Sequence, residues 1–148
     1  MIGFDLTEEQ RLFQEAIRDF ARREVAPIAR EYDEREEYPL HILRTMGALG
    51  YLGVPFSRED GGAGGDSIMA AIMSEEMGYV SAGIYLGVYV HVFLALNAIS
   101  RFGTEQQKRD YLAPGIRGER LGAWGFAEPD AGSDPGSMTT RAVRDGDD

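Results

Sequence analysis

The sequence predicts a mainly α-helical protein: an up-and-down bundle of about five helices, followed by the truncated start of a β domain. Apolar residues recur at helical spacing through roughly residues 6–113, and charged, proline-containing or glycine-rich connections separate the helical segments. Period-two alternation, which is typical of strands, begins only after residue 118. This order predicts a helical domain over residues 1–118 and an incomplete β domain over residues 119–148.

The first helix is predicted over residues 6–32. Thr7 followed by Gln10 is a capping-box pattern, and apolar side chains follow at helical spacing, at Leu12, Phe13, Ala16, Ile17 and Phe20. Pro27 is expected to kink or restart this helix. The charged run over residues 33–37 is interpreted as a solvated connection, because such runs usually lie in solvent and seldom form catalytic acid clusters.

The second helix is predicted to begin at Pro39 and to end at Gly50, with Leu40, Leu43, Met46 and Leu49 directed inward. Residues 58–67 contain four glycines but lack the Gly-Lys-Ser/Thr of a phosphate loop, so they are interpreted as a flexible connector. The third helix is expected to begin with Ser67 as its cap and to carry a wide apolar face, formed by Ile68, Met69, Ile72, Met73, Met77 and Val80.

Residues 82–102 form the most apolar segment and are just long enough to span a bilayer. Polar residues inside the segment and amphipathic helices on either side favour the centre of a bundle over a membrane span. His91 is expected to be a hydrogen-bonded core histidine, with a substrate contact as the alternative. A short fifth helix, capped by Thr104 and Gln107, is predicted to run through Tyr111 and to end at Pro114.

A strand and a turn are predicted over residues 121–137. Trp124 and Phe126 lie on one face of the alternating segment, and Pro129 ends it. A flat ring system is expected to lie against the two aromatic rings, while backbone N–H groups at Gly132 and Ser133 bind carbonyl or phosphate oxygens. The alternative is a plain hairpin corner with two core aromatic residues.

A second strand is predicted over residues 139–144, and Asp145-Gly146 is a strong hairpin signal that no returning strand follows. The sequence therefore predicts that the β domain is cut short. Because two unpartnered strands are marginally stable, the residues after about Leu121 are expected to pack poorly or to pair with an edge of another chain.

Composition excludes several classes of function. Fifteen basic against 25 acidic residues give a net charge of −10, which argues against nucleic-acid and anionic-membrane partners. The absence of cysteine excludes disulfides and thiol catalysis, and two histidines far apart make a zinc site an unlikely assignment. The first residues lack the layout of a signal peptide, so a cytoplasmic location is expected.

The run AEPDAGSD over residues 127–134, with a predicted strand before it and TTRAVRDGD after it, resembles the flavin-binding signature (T)EPxAGSD of the acyl-CoA dehydrogenase family. Ala127 stands where the family usually has a threonine whose hydroxyl contacts the flavin. The resemblance implies FAD as cofactor, bound by Trp124, Phe126, the Ala127 backbone, Gly132 and Ser133. It covers essentially the whole chain, which corresponds to the front part of the longer family members.

The resemblance also implies a reaction, in which a carboxylate removes the α proton of an acyl-CoA thioester and the β hydride passes to the flavin, giving a trans-2-enoyl-CoA. That base lies in the family's C-terminal domain, so no catalytic residue is assigned here, and the 148-residue chain alone is expected to be inactive. An electron-transfer flavoprotein or a similar acceptor, and a homo-oligomeric assembly, are implied as well. Counting back from FGTEQQKRDYL, the resemblance places Leu86, Val90 and Leu94 in the acyl-chain pocket.

Two functional hypotheses follow from these observations. The first is the front portion of an FAD-dependent acyl-CoA dehydrogenase, or of a flavin oxidase of the same superfamily. The second is a non-catalytic, stand-alone helical module of that superfamily, which binds an acyl group or a partner chain. The complete flavin signature favours the first hypothesis, whereas Ala127 and the early end of the chain favour the second slightly.

Overall fold

The computed structural model describes residues 5–146, and in these residues five helices form a bundle. Helix α1 covers residues 8–34, α2 Leu40–Ala48, α3 Ser67–Val80, α4 Ala82–Phe102 and α5 residues 105–116. Helix α1 packs on α3, α3 packs on α4, and α5 packs on the second half of α4. The prediction of a mainly helical up-and-down bundle is confirmed.

The hydrophobic core receives side chains from every helix. One fully buried side chain from each helix illustrates this: Ile17, Met46, Met73, Val88 and Leu112. Burying a side chain of this size stabilises a fold by about 1.5–3 kcal/mol, so these contacts are the main source of stability. Two residues predicted to point inward from α2 do not: Leu40 and Leu49 are exposed, because α2 turns Ile42 and Leu43 toward the core and ends before Leu49.

Helix α4 is the central helix of the bundle. By length and composition it is apolar enough to cross a membrane, with a mean hydropathy of 1.7. In the bundle it buries Val88, His91 and Val92 completely. Contact with α3 and α5 buries part of its apolar surface, whereas other apolar residues, such as Leu86 and Phe102, are exposed.

Wider π-helical turns interrupt three of the helices, at Ala21–Val25 in α1, Val90–Leu96 in α4 and Lys108–Leu112 in α5. Pro27 and Pro114 each lie two residues after such a turn. Proline has no N–H to donate, so the missing hydrogen bond lies where the helix changes from π-helical to α-helical bonding. Pro27 therefore restarts α1, as predicted. The prediction that Pro114 ends the fifth helix is wrong, because α5 continues through it to Ile116.

Both predicted capping boxes are confirmed at the N-termini of α1 and α5, at Thr7 and Thr104. The predicted cap of α3 is wrong by one residue. Asp66, rather than Ser67, accepts the Met69 N–H at 2.8 Å through Oδ1. Its Oδ2 accepts a second hydrogen bond from Gln10 at 2.7 Å. The hydrogen bonds from Met69 and Gln10 lower the pKa of Asp66, and the carboxylate joins the start of α3 to the start of α1.

The glycine-rich connector is hydrogen-bonded along its length, in contrast to the flexible loop that was predicted. Backbone N–H groups of Ala63 and Gly65 donate to the carbonyls of Gly53 and Val54, each at 2.8 Å. A side chain at Gly62 would collide with the Phe56 backbone, so the close approach requires glycine there. The sequence pattern showed the glycines but not the backbone groups that they approach.

The two predicted strands are not formed. Residues 119–146 contain no strand, and the pairing found there is one isolated antiparallel bridge between Glu128 and Ala131. The alternating pattern is present in the sequence, but a strand needs a neighbouring strand to receive its backbone hydrogen bonds. Most of residues 121–146 are exposed, as expected for a segment without such a partner.

A two-bond ion pair joins α1 to α3. Arg18 donates to both carboxylate oxygens of Glu76, from Nε at 2.9 Å and from Nη2 at 2.6 Å. The Glu76 side chain is only 10% exposed. The hydrogen bond from Arg18 lowers the pKa of Glu76, which keeps this nearly buried carboxylate ionised.

Replacing Glu76 tests how much this pair stabilises the bundle. Glu76→Ala is expected to lower the free energy of unfolding by about 1–3 kcal/mol, because the guanidinium of Arg18 loses both hydrogen bonds. Asp19→Ala is the matched control, since the Asp19–Arg23 pair on α1 is exposed, and it should cost about 0.5 kcal/mol or less. Urea unfolding followed by circular dichroism measures both variants. Equal losses would contradict a stabilising role for the Glu76 pair.

Candidate functional site

An apolar groove of about 450 Å³ opens beside the first half of α4. Its lining comes from the start of α2 and the residues just before it, from α4 and from residues 121–123, namely Tyr38, Leu40, Gly83, Leu86, Gly87, Val90, Leu121, Gly122 and Ala123. No lining residue carries a formal charge, so the groove suits an aliphatic group. Two of the three predicted pocket residues, Leu86 and Val90, lie in it.

The third predicted pocket residue, Leu94, is half-buried and does not line the groove. In a regular α-helix, residues four and eight positions after Leu86 lie close to the same face. The π-helical turn that begins at Val90 has more residues per turn, so it changes the angular position of each residue beyond it. Sequence spacing alone does not reveal such a turn.

Tyr38 forms a fixed wall of the groove. Its ring lies so close to Gly87 that any side chain at position 87 would overlap it, and its hydroxyl donates to the Ile84 carbonyl at 3.0 Å. Burial raises the pKa of Tyr38 to about 12, so the phenol stays protonated and acts as a wall rather than as a base. Sequence reasoning missed this residue. The sequence feature that could have indicated a close contact on this face of α4 is the pair of glycines one helical turn apart, Gly83 and Gly87.

His91 connects three parts of the chain and is fully buried. Its Nε2 lies 3.1 Å from the Gly115 carbonyl at the end of α5, and its Nδ1 accepts the Gly122 N–H at 2.9 Å. A ring nitrogen that accepts this bond carries no proton, so the ring is neutral and Nε2 donates to Gly115. Burial lowers the pKa of His91, in agreement with the neutral form. The prediction of a hydrogen-bonded core histidine is confirmed.

Trp124 and Phe126 directly follow the residues that line the groove. Their rings are stacked, with centroids 6.4 Å apart and planes inclined by 19°. They are 44% and 38% exposed, so a flat apolar group has access to them. The adjacent Ala127 is exposed as well.

The loop after Ala127 is closed by the carboxylate of Glu128. One oxygen accepts the Thr139 N–H at 2.8 Å and the Thr139 hydroxyl at 3.1 Å, and the other accepts the Thr140 N–H at 2.9 Å. These hydrogen bonds, that of the Thr139 N–H first, lower the pKa of Glu128 to about 2. Glu128 is therefore an ionised group that shapes the loop, and it is poorly suited to act as a base.

The turn within this loop leaves backbone donors exposed. Within residues 5–146, the N–H groups of Gly132 and Ser133 have no hydrogen-bond partner. A Cβ built on Gly132 meets no atom within 4 Å, so the space beside it is open. Asp134 shapes the next turn, since its carboxylate accepts the Gly136 N–H at 3.0 Å. The predicted cofactor residues thus lie on one continuous, accessible piece of chain.

A family model described as the acyl-CoA dehydrogenase N-terminal domain matches residues 7–119, which include all five helices. The chain belongs to the acyl-CoA dehydrogenase family. A short-chain specific acyl-CoA dehydrogenase of Clostridium acetobutylicum is 44% identical over 146 residues, covering 99% of this chain and 38% of that relative. The family assignment from residues 127–134 is confirmed.

Solved structures of family members resemble the fold closely. Butyryl-CoA dehydrogenase of Megasphaera elsdenii superposes with a TM-score of 0.85 at 34% identity, covering 94% of this chain and 37% of that one. Glutaryl-CoA dehydrogenase of Mycobacterium smegmatis, in complex with FADH2, gives 0.90 at 30% identity, covering 95% and 36%. The chain thus spans less than two fifths of the length of these relatives.

Removing the Glu128 carboxylate is expected to open the loop without unfolding the helices. In Glu128→Ala, the amide protons of Thr139 and Thr140 should lose their protection from exchange, because their acceptor is gone. Asp130→Ala is the control, since the Asp130 carboxylate accepts no hydrogen bond in the part of the chain described. Hydrogen exchange measured by NMR distinguishes the two variants. Unchanged protection in Glu128→Ala would contradict this role of the carboxylate.

Proposed function

We propose that this chain supplies the acyl-chain groove and part of the flavin site of an FAD-dependent acyl-CoA dehydrogenase, which oxidises an acyl-CoA thioester to a trans-2-enoyl-CoA. One observation carries the proposal: residues 121–123 line the apolar groove, and Trp124 and Phe126 follow them directly. An acyl chain in the groove is thereby brought next to a ring bound on the aromatic residues. Proximity of this kind lowers the barrier to a reaction between two bound groups.

The exposed residues of this segment fit a flavin. Trp124 and Phe126 offer an accessible aromatic surface, and the unpaired N–H groups of Gly132 and Ser133 are suited to flavin carbonyl or phosphate oxygens. Ala127 lacks the hydroxyl that the family usually places there, and the loss of one hydrogen bond weakens binding by about 0.5–1.5 kcal/mol. When bound, FAD supplies the hydride acceptor.

The groove selects the substrate by its apolar lining. Leu86 and Val90 give it an aliphatic wall, and Tyr38 closes one side without offering a charge. A saturated acyl chain gains about 0.8 kcal/mol for each CH₂ that it buries there. We propose a short aliphatic acyl-CoA, in keeping with the short-chain and butyryl-CoA relatives.

The base of the proposed reaction lies outside the described residues. No carboxylate lines the groove over residues 5–146, and Glu128 is held ionised by its loop. We therefore propose that residues 1–148 are inactive alone and that the base is supplied by a part of the enzyme outside these residues. For the electron acceptor we propose an electron-transferring flavoprotein. A chain in a solved structure of the electron transferring flavoprotein of Acidaminococcus fermentans superposes with a TM-score of 0.92 at 36% identity. The match covers 99% of this chain and 38% of that one.

A chimera tests the proposal with the missing part present. Residues 1–148 replace the matching part of the Clostridium acetobutylicum relative, and the purified chimera is examined for bound FAD and for loss of flavin absorbance on adding butyryl-CoA. Both are expected. A folded chimera that binds FAD but is not reduced by short, medium or branched acyl-CoA would contradict the oxidation proposal and would favour the non-catalytic binding module.

Filling the groove should weaken substrate use in this chimera. Leu86→Trp is expected to lower kcat/KM for butyryl-CoA by about tenfold or more, because the indole occupies acyl-chain space, while FAD content stays unchanged. Leu12→Trp on α1 is the matched control, since Leu12 is 61% and Leu86 58% exposed. An equal effect of both substitutions would show that the groove does not bind the acyl chain.

A further inference from the structure

We propose that His91 is a positioning residue, which fixes residues 121–127 on the helical bundle through the hydrogen bond that its Nδ1 accepts from the Gly122 N–H. This inference rests on the proposed function, because the same segment lines the groove and carries the residues that face the flavin. His91 touches neither ligand in this proposal. It acts through the backbone of Gly122.

The contact between Gly122 and α4 is close. A Cβ at position 122 would lie 2.7 Å from the Ala95 Cβ and 3.3 Å from Nδ1 of His91. The backbone of the segment therefore rests directly on α4, and only glycine permits this approach. On its other side the ring is held by the Gly115 carbonyl, so its orientation is set by α5.

Few other interactions hold the segment in place. Among the described residues, the Gly122 bond is the one hydrogen bond that joins residues 121–127 to the helices. No ladder of strand pairing fixes their register, since the part of the chain after residue 118 forms no strand where it is described. Loss of the His91 acceptor would therefore free the segment at the end nearest to the groove.

The acceptor exists only in the neutral ring. A protonated histidine carries hydrogen on both nitrogens, so Nδ1 would face the Gly122 N–H with a second donor. Charged residues on the neighbouring segment are engaged elsewhere: Arg117 pairs with Glu119 at 2.7 Å, and Arg120 lies over the Tyr111 ring. All of them are exposed, and the contacts of the ring are with neutral groups.

The direction of the pH effect follows from burial. The folded pKa of His91 lies below its ordinary value of 6.5, so below that pH the unfolded chain binds more protons than the folded chain. The stabilisation that His91 provides is complete above pH 6.5. It decreases as the pH falls below that value and is lost once the folded pKa has been passed.

Trp124 is the single tryptophan of the chain and lies two residues after Gly122, so its fluorescence reports the position of the segment. The 148-residue chain is compared with His91→Asn and His91→Gln. The asparagine carbonyl can replace Nδ1 as the acceptor, whereas the glutamine amide can reach Gly115 but not Gly122. Circular dichroism monitors the helices throughout.

We expect wild type and His91→Asn to share the same emission and acrylamide quenching at about pH 8, with His91→Gln red-shifted and more strongly quenched. The Gly122 amide of His91→Gln should lose about tenfold in exchange protection. On acidification through the folded pKa of His91, wild type should shift toward His91→Gln, while His91→Asn should not. Wild-type fluorescence in His91→Gln, or an equal acid shift in His91→Asn, would overturn the proposal.

A second pair of variants leaves the buried ring untouched and covers the case in which the His91 variants fail to fold. Gly122→Ala should displace the segment and shift Trp124 emission, whereas Gly125→Ala should not, since a Cβ there meets no atom within 4 Å. The same emission for both variants would overturn the proposal. These measurements need neither flavin nor substrate. A negative result for the His91 proposal can therefore be distinguished from a negative result for the proposed function, which the chimera tests.

Discussion

Close packing of the chain against helix α4 is the constraint on which the rest of the structure depends. Tyr38 lies over Gly87, Leu96 lies against Gly115, and Gly122 rests on Ala95. A Cβ at position 87 would overlap the Tyr38 ring and one at position 122 the Ala95 Cβ, so glycine permits the close approach at these two contacts. These approaches bring the groove wall, the end of α5 and residues 121–123 to one helix. Helix α4 is thus contacted on several sides, while apolar residues such as Leu86 and Phe102 remain exposed.

The π-helical turns adapt the helices to this packing. Each turn adds backbone to the helix without ending it, so the faces before and after the turn meet different neighbours. In α1 and α5 the turn also precedes a proline. The proline lacks an N–H, and at this position its absence disrupts few of the backbone hydrogen bonds of the helix. In α4 the turn contains both Val90, which lines the groove, and His91, which contacts Gly115 and Gly122. One helix thereby contacts both the groove and the segment after α5.

Sequence reasoning succeeded where the cause of the structure is local. The capping boxes at Thr7 and Thr104 depend on a residue three positions away, and helix periodicity depends on residues within one or two turns. Contacts between residues far apart in the sequence were harder to predict. His91 and Gly122 are 31 residues apart, and nothing in the sequence indicates that one accepts a hydrogen bond from the other. The strands failed for a related reason, since alternation shows that a segment suits a sheet but not that a partner strand is present.

Two side chains accept the hydrogen bonds that hold residues 122–140 in place. His91 accepts the Gly122 N–H at one end, and Glu128 accepts the Thr139 and Thr140 N–H groups at the other. Both acceptors are lost on protonation, but in different ranges of pH. The stabilisation from His91 decreases below pH 6.5, whereas that from Glu128 is complete above 4.5 and is lost only as the pH falls to about 2. As the pH falls from 6.5, therefore, the His91 acceptor weakens first, while above pH 4.5 the Glu128 acceptor still closes the loop that carries Gly132 and Ser133. The two ends of this region are thus anchored by different groups, at Gly122 through His91 and at Thr139 and Thr140 through Glu128.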